Sequence, residues 1–156
     1  MIKKILLATD GSETSRHAAE FCLDLKRQLA DARVGVVAVE PSIEGAHGLS
    51  PSTLSIPNPE AYQAELKAMA DKWQQDTMEL FKDAGFSVEA ESGQGDAAEE
   101  ISRVAREQGY DLIIMGSHGR SGIRSLFVGS VARKVLYTAH CPVTVVKAPE
   151  EEQETT

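Results

Sequence analysis

Apolar residues along this chain keep two rhythms, and the alternation between them gives the element order. Residues 2–9 are apolar-rich and stop at Asp10-Gly11-Ser12, a turn signal that also opens helices. Ala18, Cys22, Leu25 and Leu29 then recur at spacings of four, three and four, which places them on one helical face. Residues 34–39 form a nearly continuous valine-rich run, the pattern of a strand covered on both sides. A stretch from Pro41 to Pro59 follows, with four prolines, two glycines and scattered serines. An unstructured connection of that length inside a compact domain is usually functional or mobile.

The helical rhythm returns with Tyr62, Leu66, Met69, Trp73 and Leu80, predicting a long amphipathic helix over 59–84. Residues 86–91 alternate weakly and read as a strand. Asp96 followed by Glu99 is a helix-starting cap, with Ala97, Ile101 and Val104 as the apolar face behind it. Leu112-Ile113-Ile114-Met115 is a fourth strand, ended by Gly116. A glycine-rich loop then leads to a helix ending near Ala139, with Val128, Val131, Val135 and Ala139 predicted to share its buried stripe. Residues 142–147 are the last strand. The order β-α-β-α-β-α-β-α-β predicts an α/β fold: a parallel sheet with helices on both faces. Such sheets take ligands beyond the strand C-termini, where the strand order reverses. The loops after strands one and four are therefore the first places to search.

Composition narrows the possibilities. The 156 residues fit one domain, expected over 1–147, with an acidic tail at 148–156 expected to be disordered. Sixteen Lys+Arg against 24 Asp+Glu give a net charge of −8, which argues against a general nucleic-acid binder. No apolar run approaches the ~18–20 residues of a membrane span. The opening run Ile5–Ala8 is too short for a signal peptide and reads as a buried strand. Cys22 and Cys141 form neither a CxxC pair nor a metal spacing, and are expected to be small core residues of a reduced, cytoplasmic protein.

The candidate chemistry lies after strand four, where the chain reads Gly116-Ser117-His118-Gly119-Arg120-Ser121-Gly122-Ile123-Arg124-Ser125-Leu126-Phe127-Val128-Gly129-Ser130. Glycine, two residues, glycine, nine residues and Gly-Ser immediately precede a helix. Glycines let the backbone approach a ligand, and free N–H groups of Gly129, Ser130 and Val131 at the helix start would point at an anion. The Ser117 and Ser130 hydroxyls can add hydrogen bonds, and Arg120 or Arg124 can neutralise charge. The plainer alternative is a connector in which Ser130 only caps the helix. Asp10, ending a buried strand at the expected reversal, can accept two hydroxyl hydrogen bonds from a ribose; its plainer alternative is a helix cap.

These segments resemble the universal stress protein family, and specifically its ATP-binding branch. The Gly-x2-Gly-x9-Gly-Ser/Thr loop is matched without a gap at Gly116, Gly119, Gly129 and Ser130, and both the opening strand and Cys141-Pro142-Val143-Thr144-Val145-Val146 also look like the family. The resemblance implies a single-domain, Rossmann-like, adenine nucleotide alpha hydrolase-like sheet of five strands in the order 3-2-1-4-5. It implies that Thr9 and Asp10 meet the nucleoside, next to Ala8, which stands where ATP-binding relatives often have proline. Val39 would meet adenine through its backbone. Met115 and Gly116 would lie under the sugar and phosphates, with Gly119, Gly129, Ser130 and Val131 around the phosphate chain. His118 and Arg120, inside that loop, are expected to contact the ligand. The implied cofactor is ATP, or ADP or AMP, with Mg²⁺ arriving on the nucleotide phosphates and waters. A homodimer through the valine-rich final strand is also implied, with Val143 and Val145 on one face.

Other motifs have plainer explanations. Gly93-Gln94-Gly95-Asp96-Ala97-Ala98 fits a dinucleotide fingerprint, yet strand three would be a sheet edge, and a tight turn with the Asp96 cap accounts for it. There is no Walker A sequence. Trp73 is assigned to a packing stripe, and His17 to a solvent-facing position. The leading functional expectation is an ATP-binding stress-response switch. A slow Mg-dependent ATP hydrolase or phosphotransferase, with Asp10 and His118 near the γ-phosphate, is one alternative, and a nucleotide-free interaction module is another.

Overall fold

Successive side chains of a strand point to opposite faces, and β1 (Lys4–Ala8) shows the consequence. Ile5 and Leu7 join one apolar cluster, Leu6 and Ala8 another. The same alternation runs through β2 (Arg33–Glu40), with Val34 and Val36 on the first face and Val37 and Val39 on the second. It recurs in β4 (Leu112–Gly116), with Leu112 and Ile114 against Ile113 and Met115. With β3 (Glu89–Gln94) and β5 (Val143–Val146), these strands make a parallel sheet in the order β3-β2-β1-β4-β5. This computed structural model describes residues 1–43, 57–119 and 128–149. The arrangement is the open α/β sheet expected from the chain, and its order reverses between β1 and β4.

Among the described residues, two helices cover each face. Helix α1 (Glu13–Gln28) buries Ala18, Ala19, Cys22 and Leu23 against Ile5, Leu7 and Ile114. Helix α2 (Pro59–Asp83) contributes Phe81 to the same cluster. Burial pushes the Cys22 thiol up to about 12, as suits an inert core residue; Cys141 is only partly buried, against the opposite cluster. Helices α3 (Ala97–Glu107) and α4 (Ser130–Thr138) cover the other face. No helix among the described residues is long and apolar enough to cross a membrane.

Two expectations shift. The third strand begins three residues later than the weak alternation at 86–91 predicts. Phe86 N–H closes the end of α2 on the Phe81 carbonyl (2.9 Å), and Phe86 and Val88 pack on the α1–α2 cluster as a connector. The strand itself, Glu-Ala-Glu-Ser-Gly-Gln, is polar because it is an edge. The stripe of α4 is also rotated: Ala132 and Val135 are buried, while Val131 is 38% exposed. Residues three and four before Val135 compete for one face, and the smaller Ala132 takes the position against α3.

Asp96 caps α3 as expected, accepting the Glu99 amide at 2.9 Å, and Lys134 of α4 reaches both carboxylates, Asp96 at 3.1 Å and Glu99 at 2.9 Å. The Glu99 amide first, and Lys134 after it, hold the Asp96 carboxyl below the usual carboxylate range. A depressed acid contributes stability in full above its unfolded value, about 3.9, and loses it as pH falls through the lower folded value. Asp96→Ala is therefore expected to cost about 1 kcal/mol at neutral pH. Denaturant titrations across a pH series should show that difference narrowing in acid; a gap that persists unchanged to about pH 2 contradicts the assignment.

Candidate functional site

Because β1 and β4 are neighbours whose following helices leave to opposite faces, a crevice opens beyond their C-terminal ends. The β1–α1 turn forms one wall. Thr9 N–H continues the ladder to the Val37 carbonyl (2.9 Å), and Gly11 turns the chain with φ 73°, a left-handed conformation that favours glycine. Ser12, not Asp10, is the N-cap of α1: its side chain accepts the Ser15 amide at 3.2 Å. Asp10 Oδ1 accepts the Ser12 amide at 3.0 Å. Its Oδ2 lies toward Gly119, where a Cβ would sit only 3.0 Å from it. The expected ribose-facing carboxylate and the second glycine of the loop are thus brought together.

The β4–α4 segment forms the other wall. Ser117 is buried; its N–H donates to the Val146 carbonyl (2.8 Å) and its carbonyl accepts the Gly129 N–H (2.7 Å). At Gly129 the backbone angles are ordinary, and the reason for glycine is proximity: a Cβ there would lie 2.9 Å from the Ser117 oxygen. Gly116 is pressed equally closely on α1, where a Cβ would meet the Ser15 amide nitrogen at 2.7 Å. The His118 carbonyl accepts the hydroxyls of Thr14 and Ser12 from the start of α1. Its ring Nδ1 pairs with Ser117 Oγ at 2.9 Å, while Nε2 is buried with no hydrogen-bond partner among the described residues.

Gly129 is the N-cap of α4 and no side chain caps that helix, so Ser130 is its first residue and not its cap. The first intrahelical bond runs from Arg133 N–H to the Gly129 carbonyl. The Gly129 N–H, expected to be free for an anion, is instead spent on the Ser117 carbonyl, which leaves the amides of Ser130, Val131 and Ala132 as the groups without an internal helix partner. No acid stands in the first turn, so nothing there opposes an anion.

Val39 completes the crevice on the β2 side. Alternate residues of a strand turn their backbone groups to the same side, and Val37 turns its carbonyl to Thr9 of the β1 side. Val39 therefore faces that side too, two residues beyond the last β1 partner, Ala8↔Val37. Ala8, the last residue of β1, and Met115, the last but one of β4, are buried in the cluster beneath. Arg120, residues 44–56 of the proline-rich stretch, most of the glycine loop and the acidic end from residue 150 lie outside the described residues.

Three contributors were not expected to belong to the site. Ser12 reads as part of the turn that opens the first helix and Thr14 carries no sequence signal; only the fold brings them to the His118 carbonyl. Trp73 reads as packing, and its indole lies against Gly11. A second depression of about 470 Å³, bordered by Met78, Lys82, Phe86 and Val88, sits at the opposite end of the sheet and gathers none of the expected residues.

The universal stress protein family profile matches residues 1–147. The chain belongs to that family. Universal stress protein MJ0531 of Methanocaldococcus jannaschii is 35% identical, with 97% of this chain and 86% of that protein covered. The solved structure of MJ0577, from the same archaeon, superposes with a TM-score of 0.76 at 32% identity, covering 97% of this chain and 99% of that one. An Arabidopsis thaliana universal stress protein family structure with AMP bound shares the fold, with a TM-score of 0.67 at 19% identity over 98% and 96% of the two chains. In this universal stress protein the expected sheet order and the family assignment both hold.

Proposed function

We propose that this universal stress protein binds an adenine nucleotide, ATP foremost with ADP and AMP sharing the site, and acts as a nucleotide-dependent regulator in the stress response. The observation that carries the reading is the start of α4. The terminus of α4, which no side chain caps among the described residues, is set against the residue after β4 by the Gly129–Ser117 bond, and the next residue, His118, has its Nε2 buried with no partner among the described residues. The amides of Ser130 and Val131 and the helix dipole suit a phosphate chain. Asp10, with Oδ2 turned toward Gly119, suits the ribose hydroxyls, and the Val39 backbone suits the edge of the base. An Arabidopsis universal stress protein family structure of the same fold has AMP bound, which supports an adenine nucleotide as the class of ligand. Mg²⁺ would arrive on the phosphates, where it neutralises their charge.

A binding role is favoured over committed catalysis by how the two candidate acid–base groups are engaged. Asp10 Oδ1 is held by the Ser12 amide and His118 Nδ1 by Ser117, so the described contacts do not couple them to each other. The dimer belongs to the same proposal. β5 is an edge strand whose four residues are all half-buried, so a second copy of β5 would cover both its unpaired backbone and its valines.

Isothermal titration calorimetry separates the parts. Ser130→Asp places an acid where the α4 dipole favours it, so stability should hold while ATP affinity falls by about tenfold or more. Asp10→Asn can still accept the Ser12 amide, yet loses the charge that strengthens ribose hydrogen bonds; ATP should weaken about tenfold and inorganic tripolyphosphate should be unaffected. ATP affinity unchanged in Ser130→Asp contradicts the phosphate site. Sedimentation at micromolar concentration should show a dimer, and a monomer with or without ATP contradicts the β5 pairing.

A further inference from the structure

The β1–α1 turn is held by α2, the helix that carries Trp73. The Trp73 indole covers Gly11 so closely that a Cβ there would come within 2.6 Å of its Nε1. One turn further along, the Thr77 hydroxyl lies 3.2 Å from Thr9 Oγ1 and 2.9 Å from the Trp73 carbonyl. Thr9 Oγ1 also accepts the Gly11 amide at 3.4 Å and lies 3.3 Å from Ser15 Oγ. The residues on both sides of Asp10 are therefore fixed by α2, through an aromatic wall and a pair of hydroxyls.

We infer that Trp73 is a positioning residue for nucleoside recognition: its indole, seated on Gly11 with Thr77 on Thr9, sets the Asp10 carboxylate toward the ribose side of the crevice. The inference rests on the nucleotide reading and adds a specificity determinant to it. Glycine at position 11 makes the turn adjustable, since a residue with φ 73° and no side chain has neighbouring conformations within easy reach. The indole occupies the space into which that turn would relax. Asp10 is sensitive to any such shift because its Oδ1 is tied to the Ser12 amide within the turn, so the whole carboxylate moves with it. The phosphate end is built from different contacts, Gly129 on Ser117 and Thr14 on His118, which do not pass through Trp73. Loss of the indole should therefore weaken recognition of the nucleoside and leave recognition of the phosphates intact.

Calorimetry on the full chain tests this with ATP and inorganic tripolyphosphate as probes, in wild type, Trp73→Leu, and Trp73→Leu combined with Asp10→Asn. Trp73→Phe, which keeps a ring in the helix packing with a shorter reach, covers the case in which leucine is poorly folded. Trp73→Leu is expected to weaken ATP about tenfold, a fraction of what a charge-assisted hydrogen bond can contribute, with tripolyphosphate changed less than about twofold. In the Asp10→Asn background the same substitution should cost ATP binding nothing further, since both changes act on one carboxylate. Trp73→Phe should fall between. Equal losses for both probes, or an undiminished loss without the Asp10 charge, overturn the positioning role while leaving the nucleotide site standing. A wild-type chain that binds neither probe overturns the nucleotide reading, and the role of Trp73 with it.

Discussion

Gly129 N–H donates to the Ser117 carbonyl at 2.7 Å, and the architecture of the crevice depends on that contact. It joins the first residue after β4 to the residue before α4, so the end of the strand and the start of the helix are fixed against each other. A side chain at position 129 would push the two segments apart. Gly116, pressed against the start of α1, fixes the same segment from the other side. The result is a set of amides at the start of α4 that is fixed next to the end of β4. On the nucleotide-binding proposal, preorganised backbone dipoles would bind a polyanion without the ordering cost that flexible cationic side chains would carry.

That arrangement also reconciles the protein with its own charge. A chain at −8 repels a nucleotide at long range, but exposed charges are screened over about 8 Å at physiological ionic strength. At the start of α4 the first turn has no acid, so within that turn nothing opposes the partial positive charge of its free amides. Asp96 and Glu99, which flank α4 from the side of α3, are both paired with its Lys134. Local dipoles can therefore decide binding where net charge points the other way.

Much of the scaffold was readable from periodicity because burial and periodicity coincide where strands are covered on both sides. β1, β2 and β4 are such strands, and the Asp96–Glu99 pair announced α3 by a mechanism that the fold retains. The reading slipped where burial and pairing separate. Phe86 and Val88 are apolar because they pack beneath α2, while the strand beyond them is polar because it is an edge. Val131 matched a helical stripe by number, but packing against α3 selected Ala132. In the candidate site, the glycine spacing exposed the loop because close backbone approach demands glycine at fixed positions. Thr14 and Trp73 stayed hidden, since contacts spanning 104 residues to His118 and 62 to Gly11 leave no local pattern.

The most direct test of the account is an amide chemical-shift titration of the protein with Mg-ATP. The largest changes are expected at Gly129, Ser130 and Val131, with Gly119 and Val39 responding at the same nucleotide concentration. Shifts confined to the groove bordered by Met78 and Phe86, or no saturable shift at the start of α4, would contradict it.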